Sequence, residues 1–175
     1  MANARMPRFY RHVLVLLLGL LLSAASLAGE TAPADFQDFP ATPAHTGATA
    51  RPRLLRVQDR LYRTQIRLAA QDGKVNFAGH YVLSAFGCGG GCLMAFALDT
   101  DTGQVSWLPF TVSWSVEDKG IGVEFLPFDF RPDSRLLIIA GSRNEHGHGL
   151  YRYLLEHGRF RLLHAQEDPP NGLWE

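Results

Sequence analysis

From Asn76 onward the chain alternates short apolar runs with tight turn signals, a pattern that predicts antiparallel β-strands. Residues 79–86 and 92–98 read as the first two strands. Asp99-Thr100-Asp101-Thr102-Gly103 supplies a turn, and 104–108 a third strand. A looser stretch with Trp114 follows, then a short strand at 123–125. Residues 136–142, 150–155 and 160–164 are further strands, the last two joined by His157-Gly158. Ahead of them all, the period over 59–72 is helical. Leu61, Tyr62, Ile66, Ala69 and Ala70 share one side, Asp59 can cap the start, and Gly73 can end the helix in the left-handed conformation. Arg60, Arg63 and Arg67 line another side; a solvated face is the plain reading and a ligand-binding patch the alternative.

The strands fall into two similar units, 79–108 and 136–164, each a three-stranded antiparallel meander. Each meander resembles most of a β-propeller blade, and residues 130–137 resemble the segment that opens such blades. Two blades cannot close a propeller. The expected fold is therefore mainly β (α+β). It is an open or sandwiched antiparallel sheet of two blade-like meanders, with one N-terminal amphipathic helix packed on it. A homodimer would cover the remaining sheet edges.

The first 28 residues have the pattern of a signal peptide. Arg5, Arg8 and Arg11 precede an apolar run over 13–22, too short to span a bilayer, and Ser26-Leu27-Ala28 offers small residues at a cleavage site. The alternative is an uncleaved N-terminal anchor. Residues 29–58, with Pro33, Pro40, Pro43 and Pro52, read as a flexible leader, 59–166 as a single globular domain, and 167–175 as an irregular tail. Removing the three arginines of the first 28 residues leaves 14 basic against 17 acidic side chains. That balance argues against nucleic-acid binding. No second run approaches membrane-spanning length, so the expected location is periplasmic or secreted.

Export bears on the two cysteines, Cys88 and Cys92, because an oxidising compartment favours a disulfide. If 79–86 and 92–98 form a hairpin, the two face each other across its base, with Gly89, Gly90 and Gly91 making a loop that needs positive φ. A redox-active pair and a metal site shared with His80 are the alternatives. The glycines do not form a phosphate loop, because no Gly-Lys-Ser/Thr follows. Asp101-Thr102-Gly103 spells the aspartic-protease tripeptide, but one copy stands where a turn is needed. Asp99-x-Asp101 begins like a calcium loop and lacks its later oxygen ligands. Glu145-His146-Gly147-His148 places two imidazoles at i, i+2 in a Gly-flanked loop; a solvated loop is the plain reading and a metal pair the alternative. Asn76 reads as a cap after the helix, and His80 as a hydrogen-bonded strand residue. Trp107, Trp114, Phe110, Phe125, Phe128 and Phe130 read as core. No Gly-x-Ser-x-Gly elbow or His-Glu-x-x-His helix occurs.

Residues 76–81, Asn-Phe-Ala-Gly-His-Tyr, followed by Gly87-Cys88-Gly89-Gly90-Gly91-Cys92, resemble a group of secreted bacterial proteins with the same strand opening and Cys loop. The resemblance spans about 62–164. It implies export and a shared fold, and carries over no activity or catalytic residue.

The functional expectation is a non-enzymatic periplasmic binding or interaction module without cofactor. Its surface would comprise Asn76, His80, Gly89, Gly90, Gly91, Glu145, His146 and His148, with the Cys loop and the 143–149 loop at the same end of the sheet. Its partner would be a periplasmic or extracellular protein or small ligand. The alternative is a metal-binding or thiol-dependent enzyme using the region of His80, Cys88, Cys92, His146 and His148.

Overall fold

The computed structural model describes residues 34–42, 45–113 and 127–168. The expected signal peptide, the 123–125 strand, Trp114 and the final Pro169-Pro170 tail lie outside the described residues. A short 3₁₀ turn (Phe36–Asp38) precedes helices α1 (Val57–Leu61) and α2 (Arg63–Asp72). Eight strands follow: β1 (Tyr81–Gly89), β2 (Cys92–Asp99), β3 (Val105–Trp107), β4 (Val112–Ser113), β5 (Phe128–Phe130), β6 (Leu136–Arg143), β7 (His146–Glu156) and β8 (Arg159–Glu167). All pairings are antiparallel, and the sheet runs β1-β2-β4-β6-β7-β8, with β3 also on β2 and β5 also on β6. The fold is mainly β.

Register explains the side-chain pattern. β1 and β2 pair from Tyr81↔Asp99 to Gly87↔Leu93, so Val82, Leu98 and Phe96 share one face and Leu83, Ala97 and Ala95 the other. Both faces are covered. On the first, Ile66 and Ala69 of α2 pack with Val82, Phe96, Leu98, Val105 and Trp107. On the second, Leu83, Ala95 and Ala97 meet Leu137, Ile139, Tyr151, Tyr153 and Leu155 of the other meander. That is why β1 and β2 carry adjacent buried apolar residues. Strict alternation marks strands with one wet face only.

The helical segment departs from its sequence reading in two ways. The helix starts at Val57, and Asp59 is not its cap. Asp59 lies inside the first turn, 2 % exposed, accepting from the Arg56 backbone N–H (2.7 Å) and from Trp107 Nε1 (2.9 Å). Tyr62 breaks the helix at φ −101°, ψ 24°, where its ring sits 5.1 Å from Phe86 and 5.5 Å from Trp107. Leu61, expected on the buried side, is exposed. Gly73 closes α2 at φ 59° as its position implied.

Residues 34–42 and 45–58 are not the free leader that the Pro, Ala and Thr content suggested. Ala41, His45, Ala50 and Arg53 donate backbone hydrogen bonds to Asp133, Gly79, Thr100 and Gly103, and Ser134 Oγ donates to the Phe36 and Phe39 carbonyls. Phe36 is buried, with the Arg131 guanidinium over its ring. Composition missed this because backbone hydrogen bonds to a preformed body need no apolar period in the docked strand.

Candidate functional site

The site is built on residues 76–81, where the backbone is held from several sides. The Asn76 amide donates to the Leu83 carbonyl (3.0 Å) and accepts from its N–H (2.7 Å). Phe77 and Tyr81 exchange both backbone hydrogen bonds, which folds the intervening residues into a turn with positive φ at Ala78 (48°) and Gly79 (81°). Ala78 N–H donates to Ser134, Gly79 N–H to Pro132, and the Gly79 carbonyl accepts from His45. The His80 carbonyl accepts from both the N–H (2.9 Å) and the hydroxyl (2.7 Å) of buried Thr100. Asn76 is thus a positioning residue for His80; Gly73 closes the helix, and Asn76 bonds Leu83 instead of capping it.

His80 is held beside the turn that ends β2. One ligand-capable atom from each of His80, Asp99 and Asp101 lies within 4.8 Å of the others. Asp99 Oδ1 accepts from the Asp101 and Thr102 N–H groups at 2.8 and 3.0 Å, which leaves its other oxygen available. Asp101 pairs with His45 Nδ1, while His45 Nε2 is buried without a hydrogen-bond partner. Among the described residues, neither carboxylate has a Lys or Arg partner. Thr42 Oγ1 sits 3.4 Å from His80 Nδ1. Tyr81, paired across the ladder with Asp99, has its hydroxyl pushed up to about 12 by burial and then by the Asp99 and Asp101 charges. The Tyr81 and His80 rings are 4.4 Å apart. Both also line a cleft of about 450 Å³ with Pro40, Thr42, Arg135 and Glu156. Arg161 hydrogen-bonds Glu156 (2.9 Å) and holds that carboxyl below its ordinary range.

The other expected residues lie elsewhere. Cys88 and Cys92 are disulfide-bonded with Cα atoms 5.2 Å apart. They are not directly opposed. Cys92 pairs with Gly89, and Cys88 sits in a bulge between Gly87 and Gly89. The strands run closer to the tip than expected, so the turn shrinks to Gly90-Gly91, both at positive φ. The 143–149 loop likewise contracts to Asn144-Glu145, both at positive φ, and His146 and His148 stand on β7 instead. His146 is exposed, and His148 Nδ1 lies 2.5 Å from Asp168 Oδ2. The two hairpin ends do come near one another through β4, since Cys92 pairs with Ser113 and Ser113 with Ser142. His80 does not join them: the length of β1 separates it from Cys88, about 25 Å at 3.3 Å per residue. A single site of His80, Cys88, Cys92, His146 and His148 is therefore excluded, and bonded sulfurs are not thiolate ligands.

Asp99, Asp101, Tyr81, His45 and Thr42 were missed as site residues. For the first three a signal existed. With the hairpin turning at Gly90-Gly91, counting back along the ladder sets Tyr81 against Asp99 and brings His80 to the same end. No signal announced His45 or Thr42, which arrive through the docked segment. Compared with known families, curated proteins and solved structures, the chain has no match.

Proposed function

We propose that this chain is an exported, non-enzymatic binding module whose ligand site is the His80 end of the first hairpin, and that this site takes a divalent transition-metal ion. The carrying observation is the convergence of His80, Asp99 and Asp101 to within 4.8 Å. An imidazole with two carboxylates suits Zn²⁺ or Mn²⁺, and three protein ligands leave a position open to a small ligand in the neighbouring cleft. His45 then acts as the hydrogen-bonding partner that orients Asp101. Export rests on the N-terminal pattern and on the resemblance of residues 76–92 to secreted bacterial proteins. The disulfide suits an oxidising compartment. In this reading the two meanders are blade-like units, with α2 packed on the outer face of the first, and the Cys loop is a staple remote from the ligand.

Tag-free protein, stripped with chelator and titrated calorimetrically with Zn²⁺, Mn²⁺ and Ca²⁺, tests it. One ion per chain is expected, with affinity lost in His80→Ala and Asp99→Ala. Absence of binding at millimolar ion, or binding unchanged in both variants, overturns the reading.

A further inference from the structure

Helix α2 turns Ile66 and Ala69 into the core, and Tyr62 packs beside them. Val57 and Leu61 share one face of α1, and Leu68 stands on the solvent side of α2, about 100° from Ala69 and about 160° from Ile66 at 100° per residue. A surface helix ordinarily places polar residues there. Here the three are 74 %, 68 % and 54 % exposed, and Leu55, just before α1, is 64 % exposed. Beside this aliphatic ridge runs the Arg60, Arg63 and Arg67 row. Arg51, Arg53 and Arg56 precede it and Lys74 follows, all exposed. Two acidic residues share the stretch 51–74, and one of them, Asp59, is buried beneath Trp107. Among the described residues, none of these seven cations is in an ion pair. Arg60 donates to the Leu54 and Leu55 carbonyls and Arg63 to the Arg60 carbonyl, which keeps their charge close to the ridge.

We infer that this face docks the domain onto an anionic lipid surface. The aliphatic ridge enters the acyl boundary while the flanking guanidiniums meet headgroup phosphates. A second copy fits poorly, because face-to-face association would oppose the two Arg rows. A protein partner is disfavoured because the exposed apolar residues here are aliphatic and stand on a convex helix, whereas protein interfaces concentrate aromatic anchors. The contact is peripheral: no helix among the described residues is long and apolar enough to cross a membrane.

The test uses the protein as recovered after export, with vesicles of phosphatidylglycerol and phosphatidylcholine (1:1) against pure phosphatidylcholine. A bimane on Thr64→Cys should shift to the blue on the anionic vesicles only. Because it reports from the helix itself, it stays informative whatever the N-terminal segment does. The shift should vanish at high salt. Arg63→Gln/Arg67→Gln should weaken partitioning about thirtyfold, and Leu61→Ser/Leu68→Ser at least tenfold, with thermal midpoints unchanged because all four side chains are exposed. The inference is overturned if the probe responds equally to both vesicles, if neither double variant changes it, or if the ridge instead supports a dimer that Leu61→Ser/Leu68→Ser dissolves.

Discussion

Replacing Gly79 by alanine separates backbone strain from steric conflict in the segment that holds His80. Gly79 sits at φ +81°, and a Cβ there would lie 2.2 Å from the Thr42 carbonyl oxygen. Holding an alanine in the left-handed region costs about 1–2 kcal/mol. Relieving the overlap pushes Thr42 off the body and loosens the His45 N–H bond to the Gly79 carbonyl (2.8 Å), a packing penalty of about 1–3 kcal/mol more. Gly90 is the control. It too has positive φ (+53°), but nothing lies within 4 Å of its added Cβ, so Gly90→Ala should cost the strain alone, about 1–2 kcal/mol. Urea denaturation followed by tryptophan fluorescence gives both midpoints, with the slope shared if only stability changes. Gly79→Ala should lose about 2–5 kcal/mol and also weaken cation binding, because Thr42 and His45 move with the displaced segment. Equal losses in the two variants would refute the steric contribution. A destabilised Gly79→Ala with undiminished ion affinity would refute the claim that this turn positions the site.

Three further outcomes follow from other parts of the molecule. The double variant Cys88→Ser/Cys92→Ser should lose about 2 kcal/mol from opening so small a covalent ring, yet bind cation as before, since the staple lies at the far end of β1; calorimetric titration beside a urea melt reads both. Asp59→Ala strands the indole N–H of Trp107 in the α2 core and should cost about 1–3 kcal/mol, with a change in the tryptophan emission maximum. In an alkaline absorbance titration one tyrosine should ionise near pH 12, so folded stability is full below pH 10 and declines between the unfolded and folded values; Asp101→Asn should bring that step down, and ionisation of Tyr81 with the ordinary tyrosines would show that burial and the two carboxylates do not act on it.

The strand pattern and the glycine punctuation were legible in the sequence because they depend on local rules. Apolar runs bounded by turn signals placed the strands of β1-β2 and β6-β7-β8 to within a few residues, and Gly73 and the His157-Gly158 turn fell where the pattern set them. What failed were statements about surfaces that only assembly defines. Leu61 and Val57 are apolar at helical spacing yet stand exposed, and sequence spacing does not say which of two apolar sides will face inward. Residues 34–58 have no apolar period, yet Phe36 and a series of backbone bonds fasten them. The Asp99-x-Asp101 turn was dismissed for want of further ligands. The third ligand-capable side chain, His80, comes from just before the partner strand, a proximity visible only once the hairpin register is fixed. The Cys loop drew attention because its residues are chemically unusual, but an unusual residue already bonded to another has little chemistry left to offer.

The two carboxylates at the His80 end conflict with each other until something positive sits between them. Two charges within 4.8 Å of each other repel by at least about 1 kcal/mol in water and about 3 kcal/mol at the effective dielectric of a protein surface. His45 offsets part of this at Asp101, while the Asp99 oxygen that accepts from Asp101 and Thr102 N–H groups fixes the turn whether or not a cation is bound. Asn at position 99 keeps that acceptor and removes the charge. Asp99→Asn should therefore raise the melting temperature of the metal-stripped protein and, at the same time, abolish the stabilisation that a saturating ion gives the native chain, about 2.7 kcal/mol at a hundredfold excess over the dissociation constant. The opposite signs are the test. A turn that merely needs its aspartate for structure would lose stability on the substitution, ion or no ion. A site assembled for a cation gains stability without the ion and becomes indifferent to it.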